Sequence, residues 1–128
     1  MQKVLIVEDH ADMRELLTWQ VELMGFLPIP AKHGKEGVEK AVSEKPQLIL
    51  MDIMMPGMDG WEAARALRAN PETREIPILA ATALFRDSDL NACMEAGCTS
   101  YIVKPFTFQE LQSKIREIIP SSNGAPPS

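Results

Sequence analysis

Gln47-Leu48-Ile49-Leu50-Met51-Asp52 is a short apolar run that stops abruptly on a carboxylate. It lacks the polar–apolar alternation of a half-exposed strand and is too short for a buried helix. It reads as a strand covered on both faces, the habit of parallel sheets. The same form recurs on either side. Lys3-Val4-Leu5-Ile6-Val7 stops at Glu8-Asp9, Ile76 to Ala81 stops at Thr82, and Thr99 to Val103 stops at Lys104-Pro105. Phe26 to Pro30 is a weaker strand whose two prolines suit a sheet edge, where a missing N–H costs little.

Between these runs lie stretches of helical periodicity. Ala11 to Met24 carries Met13, Leu16, Leu17, Val21 and Met24 as its expected inner face, and Gly25 ends it. Lys35 to Ser43, Trp61 to Ala69 and Asp87 to Ala96 follow. Phe108 to Ile119 closes the series with Leu111, Ile115 and Ile118 on one side. Five strand–helix alternations predict an α/β fold: a doubly wound, five-stranded parallel sheet with helices on both faces and right-handed crossovers. Sheets of this kind bind ligands beyond the carboxyl ends of their strands.

A length of 128 residues fits one domain, expected over residues 1–119. Residues 120–128, rich in Ser, Pro and Gly, are expected to form a disordered tail. Met1 directly before the first strand reads as a natural start. The net charge of -5 argues against a nucleic-acid surface, which needs clustered Lys and Arg. Cys93 and Cys98 read as small core residues, because zinc would need more ligands at known spacings. There is neither a signal peptide nor a membrane-length apolar run, so a cytoplasmic protein with no membrane partner is expected.

In a parallel sheet Glu8, Asp9, Asp52, Thr82 and Lys104 all fall on one edge. Any single strand-end aspartate is ordinarily a turn residue or a helix cap. The group resists that reading, since three clustered acids repel one another and are costly to bury uncompensated. A divalent cation resolves the conflict, and hard oxygen ligands suit Mg2+. The chemistry that fits is phosphoryl transfer to a carboxylate, with Asp52 as the central nucleophile and Lys104 as a further positive charge.

Val7-Glu8-Asp9, Leu50-Met51-Asp52, Met54 to Gly60, Thr82-Ala83 and Tyr101 to Phe106 together resemble a response-regulator receiver domain of two-component signalling. The resemblance runs from about Lys3 to Ile119. It implies the flavodoxin-like strand order 2-1-3-4-5. It implies that Asp52 accepts a phosphoryl group from a phosphohistidine on a histidine kinase or histidine phosphotransfer protein. It implies Mg2+ (or Mn2+) on Asp9, Asp52 and the backbone carbonyl of Met54, with Glu8 acting through a bound water. Thr82 and Lys104 would contact the phosphoryl group, and a cis Lys104–Pro105 bond would aim the lysine. Thr82 and Tyr101 would form the switch that alters contacts with a downstream effector protein. Met55, Pro56, Pro105 and Phe106 would lie where a kinase docks. A monomer or a weak phosphorylation-dependent dimer is expected, acting as a phosphoacceptor rather than an enzyme.

A receiver excised from a longer regulator or hybrid kinase has the same site and stands as an alternative. Other readings fit less well. An Asp-nucleophile phosphatase of the haloacid-dehalogenase type carries a second acid two residues on, where this chain has Met54. A flavodoxin-type cofactor binder needs a phosphate loop where Glu8-Asp9 would repel phosphate. His10 reads as a loop residue, since imidazole suits softer metals than Mg2+. His33 reads as exposed, Met13, Met24, Met51 and Met94 as core, and Phe85 as packed at the start of the fourth helix. Met54 and Leu84 lie two residues beyond Asp52 and Thr82, where they would limit water access. Met54→Asn and Leu84→Glu should therefore change the autodephosphorylation rate, and rates equal to the parent's would refute this role.

Overall fold

The computed structural model describes residues 1–54, 60–83 and 86–119. Met55, Pro56, Met58, Leu84, Phe85 and the expected tail lie outside the described residues. Five strands alternate with five helices: β1 (Lys3–Val7), α1 (Ala11–Leu23), β2 (Leu27–Ala31), α2 (Gly34–Glu44), β3 (Leu48–Asp52), α3 (Gly60–Ala69), β4 (Ile78–Thr82), α4 (Asp87–Glu95), β5 (Ser100–Val103) and α5 (Phe108–Ile118). All strand pairs are parallel and the order is β2-β1-β3-β4-β5, as expected.

The alternation of side chains along each strand divides the apolar residues between two cores. Leu5, Val7, Ile49, Met51, Ile78 and Ala80 face one side and pack with Ala41, Ala63, Leu67 and Cys93 of α2, α3 and α4. Val4, Ile6, Leu48, Leu50, Leu79 and Ile102 face the other and pack with Leu17 and Val21 of α1 and Leu111 and Ile115 of α5. Burial on both faces explains why these strands read as unbroken apolar runs.

At the edge, β1 takes the N–H of Leu27 through Gln2 O at 2.8 Å and gives the Glu8 N–H to Ala31 O at 3.1 Å. The alternating pattern turns Pro28 and Pro30 outward, so the free edge of β2 lacks donors at both positions. Gly25 and Gly97 adopt positive φ of 92° and 111° just past α1 and α4, as a left-handed helix end requires. Cys93 and Cys98 are buried free thiols, and burial pushes the Cys98 thiol up to about 12. They are core residues, not reactive ones.

Two expected core residues are on the surface. Leu16 and Met94 are exposed, and Leu16 lies beside the exposed Trp19 and Leu23 on the outer face of α1. Adjacent Leu16 and Leu17 are about 100° apart on the helix, and the sheet-facing stripe takes Leu17 and Val21, with Met13 partly buried beside them. His33 is exposed, yet its Nδ1 caps α2 by accepting the Glu36 N–H at 3.1 Å. Arg68, at the end of α3, donates to the carbonyls of Gly97 (2.7 Å), Arg74 (2.8 Å) and Ile76 (2.6 Å). It ties together the loops at the sheet end opposite the acidic residues.

α3 begins hard against the end of β3. The Gly60 N–H donates to Ile53 O at 2.9 Å. A Cβ on Gly60 would sit 2.5 Å from Ile53 Cα and 2.9 Å from Asp52 O, and backbone cannot yield as a side-chain tip can. Gly60→Ala should therefore cost about 1–3 kcal/mol of stability. Urea unfolding should show a lower midpoint at unchanged m-value.

Candidate functional site: an acidic pocket at the sheet's carboxyl edge

Strand parity explains which side chains meet. Val4 and Ile6, Leu48 and Leu50, and Ile102 face the α1/α5 side. Continuing each alternation by one step brings Glu8, Asp52 and Lys104 to that same side, just beyond the sheet. Their strands are not all neighbours, but Lys104 is long enough to cross β4. Its Nζ lies 3.3 Å from Glu8 Oε1 and 3.4 Å from Asp52 Oδ1. The Lys104–Pro105 peptide bond is cis, and the Lys104 N–H donates to Thr82 O at 2.7 Å.

The acidic dipeptide is held by its own neighbours. Arg14, in the first turns of α1, donates from Nη1 to Glu8 O at 2.9 Å and to Asp9 O at 3.3 Å. The His10 N–H donates to Glu8 Oε2 at 3.2 Å. Arg14 went unread in the sequence. Its only signal is a lone guanidinium opening a helix whose other charged residues, Asp12, Glu15 and Glu22, are acidic.

Burial raises the electrostatic stakes. Glu8 is 1% exposed and Asp52 5%. Asp9 is partly exposed, but its Oδ1 is removed from solvent and accepts no hydrogen bond. Desolvation, and then the Glu8 charge, push the Asp52 carboxyl up to about 6, against the opposing pull of Lys104 and the Met54 N–H. That N–H donates to Asp52 Oδ1 at 3.3 Å. Three carboxylates thus face one ammonium, and a buried oxygen stands without a donor.

A cation answers both deficits. Glu8, Asp9, His10 and Asp52 each offer a ligand atom, all within 4.8 Å of one another. The oxygen-rich donor set fits a hard divalent ion. The remaining expected residues stand near or beyond this pocket. Thr82 is buried at the end of β4. Tyr101 is half-buried and packs against the core on the α2–α4 side, and Phe106 packs against the α1/α5 core. Pro105 is exposed, and Met55 and Pro56 lie outside the described residues.

The raised Asp52 carboxyl has a stability consequence in metal-free protein. The folded state holds this proton more tightly than the unfolded chain, whose value is near 3.8. Its contribution is therefore fully present below about pH 4 and is lost as pH rises through about 6. Asp52→Asn removes the repulsion. In chelator at pH 7.5 it should raise stability by on the order of 1 kcal/mol after allowance for solvent screening. Thermal melts should show the gain shrinking toward pH 4, and a variant less stable than the parent at pH 7.5 would contradict it.

Comparison with known proteins places the chain in a family. The family model "Response regulator receiver domain" matches residues 4–116. The alkaline phosphatase synthesis transcriptional regulatory protein PhoP of Bacillus subtilis is 35% identical over 127 residues, 99% of this chain and 52% of PhoP. The phosphate regulon transcriptional regulatory protein PhoB of Escherichia coli is 34% identical over 118 residues, 92% of this chain and 52% of PhoB. The chain thus spans about half the length of the curated relatives it matches. Among solved structures, Vibrio cholerae chemotaxis protein CheY4 superposes with a TM-score of 0.89 at 28% identity, covering 93% of this chain and 99% of CheY4. The receiver domain of the Pseudomonas aeruginosa sensor histidine kinase PA1611, with a magnesium ion in its active-site cleft, gives 0.84 at 32% identity, covering 91% and 95%. No described helix is long and apolar enough to cross a membrane. The chain belongs to the response-regulator receiver domain family of two-component signalling.

Proposed function

We propose that Asp52 is the phosphoacceptor of a cytoplasmic phosphorelay, taking its phosphoryl group from a phosphohistidine on a histidine kinase or histidine phosphotransfer protein. The observation that carries this reading is the buried Asp52 carboxylate, with Lys104 Nζ at 3.4 Å and the acidic pair beside it. An Asp52 oxygen attacks phosphorus, a P–O bond forms as the P–N bond breaks, and the leaving imidazole takes up a proton. Lys104 pairs with the equatorial phosphoryl oxygens, and Thr82 at the end of β4 donates to one of them.

Asp9, Asp52 and the Met54 carbonyl would hold Mg2+ (or Mn2+), with Glu8 acting through a water. When bound, the ion offsets the carboxylate charges and those of the incoming phosphoryl group. Arg14 and His10 keep the acidic dipeptide in place through the backbone contacts described above. Residues 1–119 form the receiver unit, and residues 120–128 are its tail.

The readout follows from the far side of the same strands. Thr82 draws toward the phosphoryl group and Tyr101 adjusts to the space it leaves. Tyr101, Ile102 and Val103 line a groove of about 470 Å³ with Gln109, Ser113 and Lys114 of α5. This is where an effector protein, or a second copy in a weak phosphorylation-dependent dimer, would sense the change. Pro105 and Phe106 flank the kinase-docking rim.

Beryllofluoride with Mg2+, a phosphoryl mimic, tests the reading. Amide resonances around Asp52, Thr82 and Lys104 should shift, and the change should extend to Tyr101. Asp52→Asn should abolish the response, and Lys104→Met should slow phosphorylation by acetyl phosphate about a hundredfold. A response that survives Asp52→Asn would refute the assignment.

A further inference from the structure

His33 starts α2 with a titratable cap. Its backbone is extended (φ -158°, ψ 171°) and its Nδ1 accepts the Glu36 N–H at 3.1 Å, a bond that Ser, Thr, Asp or Asn ordinarily supplies. A ring nitrogen accepts only while it carries no proton, and free imidazole titrates near about pH 6.5. The ring is exposed, so protons reach it directly. A second partner for the protonated ring stands three residues on. The Glu36 carboxylate accepts the Lys32 N–H on one oxygen and lies 3.6 Å from Lys40 Nζ on the other. The Lys32 N–H is the foremost of the contacts that hold this carboxyl below the usual carboxylate range, so Glu36 stays ionised where imidazole takes up its proton. α2 packs on β1, β2 and α3. β1 meets it with uncharged Val7, β2 leads into Lys32, and α3 carries Glu62 in its first turn. Lys32, Lys35, Lys40 and the positive end of the helix dipole oppose a proton on His33, whereas Glu36 and Glu62 favour it.

We propose that His33 is a pH-sensitive latch on the start of α2. Neutral, its Nδ1 caps the helix; protonated, the ring gives up the Glu36 N–H and turns to the Glu36 carboxylate. The freed N–H faces water and the first turn of α2 loosens. The latch lies outside the acidic pocket but not far from it along the chain's contacts. The Glu8 N–H donates to Ala31 O, two residues before His33, and Gly37 of α2 lies so close to Val7 that a Cβ there would sit 2.7 Å from Val7 Cγ2. Mild acidification thus acts on the helix that backs the end of β1, independently of any phosphoryl donor.

Amide hydrogen exchange of the full chain, read by NMR at pH 7.5 and 5.5 and expressed as protection relative to the unstructured peptide, tests this. Protection of the Glu36 amide in the parent should fall about fivefold between the two conditions, as loss of a cap implies. His33→Asn, which caps without titrating, should keep the protection at both pH values. His33→Ala should show the low value at both. Titration of Asp52 is common to parent and His33→Asn, so it cancels in their comparison. Nitrogen shifts of the His33 ring at pH 7.5 should place the proton on Nε2 and leave Nδ1 bare. A Glu36 protection that falls equally in His33→Asn and the parent, or a His33 ring with its proton on Nδ1 at pH 7.5, overturns the proposal.

Discussion

The repulsion among Glu8, Asp9 and Asp52, set against one amine from Lys104, is the constraint on which the rest of the structure depends. Among the described residues Lys104 is the cation paired with Asp52, at 3.4 Å. Nothing in the hydrophobic core requires this arrangement. On β1 and β4 the core ends one residue short of Glu8 and Thr82, and Glu8, Asp52 and Lys104 continue the parity of the α1/α5-facing residues of their strands. The strands therefore act as rods that set the acids at fixed separations. Arg14 fixes the dipeptide from below, and Gly60 lets α3 press on the chain leaving Asp52. The arrangement costs stability and gives a pocket that favours added positive charge and, with it, an incoming phosphoryl group.

Much of the fold was legible because the physics is local. A strand covered on both faces must be apolar throughout, so Val4 to Val7 and Leu48 to Met51 announced themselves. A free edge tolerates proline, so Pro28 and Pro30 placed β2. Packing width was not legible. The periodicity of α1 allowed Leu16 inside, but the contact stripe runs through Met13, Leu17 and Val21 and leaves Leu16 out; Met94 of α4 is likewise exposed. Nor were contacts between distant polar groups. Arg68 reaches a carbonyl 29 residues away, and a helix-end arginine reads identically whether it is solvated or clamped. The His33 cap lay outside the usual Ser, Thr, Asp and Asn vocabulary of helix starts.

The site was legible as a list of strand ends, because topology alone brings those ends to one edge. Which residues touch was not, since that depends on side-chain reach. Lys104 contacts both Glu8 and Asp52, a geometry that only the parity of three strands predicts. His10, which reads as a loop residue, stands with Nδ1 3.4 Å from a carboxylate oxygen of both Glu8 and Asp9. Its contact with both acids follows from the backbone turn into α1, and position in sequence carries no sign of that turn.

The central claim, that this pocket makes Asp52 the phosphoacceptor, is tested most directly by chemical trapping. The protein is incubated with acetyl phosphate and Mg2+ and then reduced with borohydride, which converts an acyl phosphate on aspartate to homoserine. Peptide mass spectrometry should find homoserine at position 52 and nowhere else. Homoserine at Asp9 or another carboxylate, or none at all, would contradict the account.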